Sequence, residues 1–167
     1  MPEGPECRRM ALQLSEEVSN KKLIDVVVES GRYTKKPIAG LEEILQETPL
    51  KVRGAGVHGK FIFFLLDNEW SIWNTLGMTG GWSRQKAKHA RVSLVLEDGP
   101  IFFNDTRNFG TLKFVQGKDP IIDKIKSLGP DLLAEECADE VFVNSLRRKD
   151  KKTIVEAIMD QSVVSGV

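Results

Sequence analysis

The sequence predicts an α+β fold: an N-terminal two-sheet β-sandwich with flanking helices, followed by the start of a helical domain. Three observations carry this prediction. Short stretches rich in β-branched and aromatic residues, with turn residues between them, recur from Leu23 to Gln116. Ahead of them, Pro5 to Ser19 places Cys7, Met10, Ala11, Leu14 and Val18 at the spacing of one helical face. Beyond Gly117 the β character stops, and helix-forming stretches broken by Leu128-Gly129-Pro130-Asp131 replace it.

Pro5 suits the first turn of the leading helix, where its missing N–H has no partner to lose, and Glu3 and Glu6 suit the positive end of the helix dipole. Leu23 to Glu29 is a β-branched strand, and Tyr33 to Gly40, with Pro37 inside it, is a loop. Leu41 to Glu47 forms a short helix that stops at Thr48-Pro49, because a proline disfavours helical geometry in the residue before it. Leu50 to Val57 and Phe61 to Leu66 are strands around His58-Gly59-Lys60, and Asp67-Asn68 turns the chain into the strand Trp70 to Leu76. Ala90 to Glu97 and Pro100 to Asn104 pair through Asp98-Gly99, a dipeptide that tolerates the positive φ of a tight hairpin. Thr111 to Gln116 is the last strand, and Pro120 to Ser127, Asp139 to Arg147 and Lys152 to Asp160 are helices. The expected division is a β-rich domain over 1–117, a linker helix over 118–130 and a partial helical domain over 131–167.

The chain of 167 residues is long enough to bury a substantial core, and its apolar stretches fall well short of the roughly 18 residues of a membrane span. No membrane association is expected; the expectation is an intracellular monomer. Cys7 and Cys137 give no disulfide framework and no paired ligand spacing, so no metal is assigned. Lysine plus arginine equals aspartate plus glutamate at 24 each. A protein of zero net charge that binds nucleic acid must concentrate its cations on one face. The candidate clusters are Lys51, Arg53, His58 and Lys60; Arg84, Lys86, Lys88, His89 and Arg91; and the run from Arg147 to Lys152. Each can equally be a solvated, salt-bridged surface.

Met1-Pro2-Glu3-Gly4-Pro5-Glu6 carries the chemistry. Removal of the methionine would expose a secondary amine at Pro2 with a carboxylate beside it. An α-amino group ordinarily titrates near pH 8, about two units below lysine, so a useful fraction is nucleophilic at neutral pH. An imine formed by a secondary amine is necessarily cationic, which makes it an electron sink for elimination, and Glu3 could shuttle the protons. The plain alternative is that Pro2 only promotes methionine removal while Pro5 opens a helix.

The hexapeptide resembles the N-terminus of the formamidopyrimidine-DNA glycosylase/endonuclease VIII family, and four later stretches agree with it in order. They are Gly59-Lys60-Phe61, Leu76 to Trp82, Asp105 to Gly110, and the pair formed by Leu128 to Leu132 and Thr153 to Val167. The resemblance implies that Pro2 is the nucleophile, that Glu3 is the acid/base, and that Glu6 lies close to the amine. Lys60 would be the catalytic-site lysine, although a lysine at a strand start is by itself ordinary edge decoration. Met78, Arg107 and Phe109 would fill the void left by an extruded base. Otherwise Met78 and Phe109 would be core residues and Arg107 would pair with Asp105. Cys7 departs from the aliphatic residue usual at its position.

The resemblance spans essentially all 167 residues and corresponds to the front part of a family member. Residues 131–167 would begin the helix-two-turn-helix DNA-binding domain, whose second helix lies beyond Val167 together with the finger that follows it. The implied function is base-excision repair: a glycosylase and abasic-site lyase acting on double-stranded DNA with oxidised bases or abasic sites; without the second helix and the finger, little or no turnover is expected of these 167 residues alone. The alternatives are a non-catalytic DNA-binding or scaffolding fragment, and a β-sandwich interaction domain without a DNA link. The chemistry needs no cofactor, and the zinc that some members carry belongs to the finger. The hexapeptide leans towards oxidised pyrimidines, whereas Met78, Arg107 and Phe109 lean towards formamidopyrimidines.

Overall fold

The computed structural model describes residues 1–134, 137–149 and 151–167, so Asp150 of the Arg147 to Lys152 run lies outside the described residues. A helix α1 (Gly4–Val18) leads into strand β1 (Lys22–Val28), a single 3₁₀ turn at Gly31–Thr34, and helix α2 (Leu41–Glu47). Strands β2 (Leu50–His58), β3 (Phe61–Leu66), β4 (Trp70–Thr75), β5 (Gly80–Ser83), β6 (Ala90–Leu96), β7 (Gly99–Asp105) and β8 (Thr111–Gln116) follow. Helices α3 (Lys118–Ser127), α4 (Asp139–Arg147) and α5 (Ile154–Met159) complete the chain.

The strands are antiparallel in the order β5-β7-β6-β1-β2-β3-β4-β8. At the middle of this order β1 and β2 pair only at Lys22↔Lys51 and Leu23↔Leu50. Phe64 on β3 and Trp82 on β5 nevertheless meet edge to face at 5.4 Å between ring centroids. Five strand spacings of a flat sheet would separate them by about 24 Å, so the order folds over at β1/β2 into two facing halves. The Trp82 indole N–H also donates to Asn74 Oδ1 on β4 at 3.0 Å, a buried hydrogen bond between the halves. Phe64, Phe103, Ile62, Ile72, Leu94 and Ile101 fill the space between them.

Helix α1 covers this core with Cys7, Ala11, Leu14 and Val18, the face its spacing predicts. Its contacts run mainly to β2, which fixes the N-terminal end of the helix beside the β2–β3 turn. Three elements differ from expectation, among them α5, which runs Ile154–Met159 where Lys152 to Asp160 is expected. Gly80-Gly81-Trp82-Ser83, expected as part of a loop, is strand β5, held in register Gly80↔Asp105 to Ser83↔Phe102. Helix α3 starts at Lys118 rather than Pro120, since a proline in the first turn lacks an N–H that has no intrahelical acceptor.

The segment after α3 returns to the sandwich. Gly129 N–H donates to Gln161 O at 2.8 Å, Ser165 N–H to Pro130 O at 2.9 Å, and Leu132 N–H to Ser165 O at 3.0 Å. Val163 and Val164 are buried with Ala157, Phe142 and Leu146 of the helical segment, and Ser165 and Gly166 are buried beside Gly59 and Gly4. A Cβ on Gly4 would lie 2.1 Å from Gly166 O, and one on Gly59 would lie 2.7 Å from Ser165 Cβ. Only glycines allow this approach.

Candidate active site

Helix α1 presents its first turn at the rim of a cleft. Glu3 is the N-cap, and its N–H donates to Glu6 Oε2 at 3.0 Å. The Glu6 carboxylate is bonded by backbone N–H groups of the helix start, chiefly its own and that of Glu3, and its pKa is held below the ordinary glutamate value. Glu6 therefore works here as a cap that ties down the residue before the helix. The Glu3 side chain forms an ion pair with Lys60 Nζ.

Lys60 is aimed by its turn. Gly59, at φ +58°, reverses the chain between β2 and β3 and donates its N–H to Asp131 Oδ2 at 2.9 Å. Asp131 is 6% exposed, also accepts Leu133 N–H at 3.0 Å, and faces Arg8 Nη2 at 3.7 Å. His58 Nε2 meets Gly129 O at 2.8 Å. One buried carboxylate thus links Arg8 of α1, the Lys60 turn and the segment that follows α3.

Met1, Pro2, Cys7, Lys60, Thr75, Leu76 and Gly77 line a cleft of about 180 Å³. Pro2 is half-buried at its wall. The Cys7 thiol, at the same wall, is pushed up to about 11 by burial, so it is protonated at neutral pH and not a competing nucleophile.

Gly77 joins this cleft to a second construction. At φ +63°, its missing Cβ leaves room for Gly110 N, which would otherwise be 2.6 Å away. Thr79 Oγ1 donates to Asp105 Oδ1 at 2.5 Å and accepts Arg107 N–H at 2.9 Å, while Gly110 N–H donates to Asp105 Oδ2 at 2.8 Å. Arg91 braces the loop from behind through Nε to Asp105 O at 2.7 Å and Nη2 to Thr106 O at 3.0 Å. On this clasp Met78 and Phe109 stand 39% and 58% exposed. They are not core residues. The Arg107 guanidinium reaches Met78 Sδ at 3.3 Å and does not pair with Asp105.

Pro2 and Lys60 therefore line one cleft with Glu3 paired to Lys60, and Met78, Arg107 and Phe109 share one projecting clasp beside it. Glu6 is close in sequence but occupied at the cap. Sequence reading missed Thr79, Arg91, Asp105 and Asp131 as supporting residues. Thr79 bonds Asp105, Arg91 bonds the carbonyls of Asp105 and Thr106, and Asp131 bonds the Gly59 amide, pairings across 14 to 72 residues that no local motif records. Among the described residues, no group of three His, Cys, Asp or Glu side chains could hold a metal ion, and no helix is long and apolar enough to cross a membrane.

A folded-over eight-stranded sandwich, a proline and a glutamate leading into α1 beside a lysine-bearing cleft, and a projecting Met/Arg/Phe clasp define a β-sandwich protein with a cleft at its N-terminus. The profile of the formamidopyrimidine-DNA glycosylase N-terminal domain matches residues 1–112, and the chain belongs to that family. It is 30% identical over its whole length to a formamidopyrimidine-DNA glycosylase of Lactobacillus johnsonii and 32% identical to one of Salinispora tropica. It spans 62% and 61% of those two proteins. The crystal structure of the MutM (Fpg) protein from Thermus thermophilus superposes with a TM-score of 0.80 at 28% identity, covering 99% of this chain and 60% of that one. An LlFpg complex with DNA containing N7-benzyl-Fapy-dG superposes at 0.83 with 24% identity, which bears on the fold alone.

Proposed function

We propose that this chain is the catalytic part of a DNA glycosylase with abasic-site lyase activity, acting in base-excision repair on oxidised bases in double-stranded DNA. The observation that carries the reading is a cleft lined by Pro2 and by a Lys60 that is paired to Glu3, with the Met78/Arg107/Phe109 clasp alongside. Relatives named as formamidopyrimidine-DNA glycosylases support it.

In the proposed reaction, the Pro2 amine, freed of Met1, attacks C1′ of the extruded nucleotide. The C1′–N bond breaks and the base leaves with a proton. The sugar ring opens to a cationic imine between Pro2 and C1′, with a proton delivered to O4′. That cation acidifies C2′–H, Glu3 accepts the proton, and the electron pair expels the 3′ phosphate by β-elimination. A second elimination releases the 5′ phosphate, and water then frees the proline. Lys60 exchanges its pairing with Glu3 for a phosphate beside the sugar. Met78, Arg107 and Phe109 occupy the gap in the duplex and face the orphaned base. No step calls on a cofactor. In this reading residues 1–117 are the catalytic domain, 118–130 the linker, and 131–167 the start of the helix-two-turn-helix domain; the protein works as a monomer, inside the cell, on its DNA.

Borohydride reduction of a mixture with DNA carrying an abasic site tests it. A covalent adduct mapped by peptide sequencing to Pro2 is expected, and it should vanish when Met1 is retained. Salt-sensitive binding without any adduct would instead make the chain a non-catalytic DNA-binding domain.

A further inference from the structure

We propose that the outer face of β3, β4 and β8 is a second nucleic-acid site, a groove that takes a single-stranded DNA segment leading away from the Pro2 cleft. Two adjoining clefts of about 380 Å³ each form it. Phe61, Trp73, Thr75, Lys113 and Lys124 line the first; Arg32, Tyr33, Lys36 and again Lys113 line the second. Neither lining contains a carboxylate. In a chain with equal numbers of acidic and basic residues, four cations gathered without an anion mark a segregated surface. Among the described residues, none of the four forms an ion pair.

The floor is aromatic. Phe61 and Trp73 meet edge to face at 5.4 Å, Lys113 Nζ lies 4.2 Å from the Trp73 ring centroid, and Lys124 Nζ lies 5.6 Å from that of Phe61. Phe61 is 5% exposed and backs the half-buried Trp73, whose indole between Lys113 and Lys124 is what an unpaired strand requires: a ring for a base to stack on, with charges for its phosphates to follow. A cation–π contact at an exposed site is weak, so an incoming base takes the indole face and the Lys113 ammonium swings to the neighbouring phosphate. A duplex, with its bases stacked inside, offers the rings nothing. The groove is also continuous with the cleft: Thr75 lines both, and the cross-strand rows Phe61↔Thr75↔Thr111 and Phe63↔Trp73↔Lys113 lead outward from it.

This second site goes beyond the glycosylase reading, and its test uses no lesion, so either can fail alone. The full chain is titrated with labelled oligothymidylate of about ten nucleotides, within the span of known single-strand sites, over a salt series. Trp70 and Trp82 are 4% and 3% exposed, so quenching of tryptophan emission reports Trp73. Quenching and salt-dependent binding are expected. Lys113→Ala with Lys124→Ala should weaken binding about ten-fold and flatten the log–log salt slope by about 1.4, two phosphates at ~0.7 each for a single strand. Trp73→Leu should weaken it about ten-fold with the slope unchanged. The two variants alter different elements, and thermal melts establish that each is folded. Undiminished binding in both, no salt-dependent binding by the parent chain, or tighter binding of oligouridylate than of oligothymidylate would overturn the proposal.

Discussion

The Thr79 hydroxyl donates to the buried carboxylate of Asp105 at 2.5 Å while receiving the Arg107 N–H at 2.9 Å, so one side chain couples the turn that bears Met78 to the loop that bears Arg107 and Phe109. Asp105 is 1% exposed and also holds Gly110 N–H. Removing an acceptor from buried donors exposes their full desolvation cost. Asp105→Ala is expected to lower stability by about 2–3 kcal/mol in chemical denaturation, and Thr79→Val by about 1 kcal/mol. The Gly110 amide should exchange faster in both; unchanged protection there would mean that the clasp is held some other way.

Gly4 is where the returning chain touches the first turn of α1. A methyl group there would sit 2.1 Å from Gly166 O, a backbone atom that cannot rotate aside. Gly4→Ala is expected to destabilise by about 1–3 kcal/mol through overpacking, with a lowered melting temperature and increased protease sensitivity at residues 161–167. Gly81 is the control: its added Cβ would meet only Met10 Cε at 3.7 Å, an ordinary contact. A Gly81→Ala variant should leave protease sensitivity at residues 161–167 unchanged.

Much of this fold is legible along the chain because its signals are local. The 3.6-residue spacing of Cys7, Ala11, Leu14 and Val18 marks the buried face of α1, and Asp98-Gly99 marks the β6–β7 hairpin. Strand β5 is not legible. Gly80-Gly81 has no β preference, and its extended state follows from Trp82 packing between Phe64 and Phe103 and bonding Asn74, residues that only the folded sheet brings near. The placement of Pro2, Glu3, Lys60, Met78, Arg107 and Phe109 follows the same rule. Side chains at a helix start or a glycine turn stand out in sequence. The carboxylates of Asp105 and Asp131, which aim the turns from beneath, bind backbone amides and leave no sequence signature.

Lys60 and Glu3 form an ion pair that is 28% and 38% exposed at the side chains, so solvent screens it and its share in stability is small. Replacing Lys60 with methionine keeps the apolar stem and removes the charge. The melting temperature should hardly move. The rate of borohydride-trapped adduct formation should fall about 10²-fold, the scale of losing one preorganised charge near a phosphate. An equal fall in stability and trapping rate would assign Lys60 to the fold rather than to the reaction.

Glu6 provides the pH test of the helix start. Backbone N–H groups hold its folded-state carboxyl below the ordinary value of 4.5, so the unfolded chain binds the proton first as pH falls. The stabilisation is therefore fully present above pH 4.5 and is lost as pH drops through the depressed folded value. Glu6→Gln keeps an oxygen for the Glu3 N–H but cannot carry the charge. Its melting temperature should lie below that of the parent protein at neutral pH, and the two should converge in acid. A gap that persists unchanged into acid would mean that the Glu6 side chain acts through packing, not through its charge at the positive end of α1.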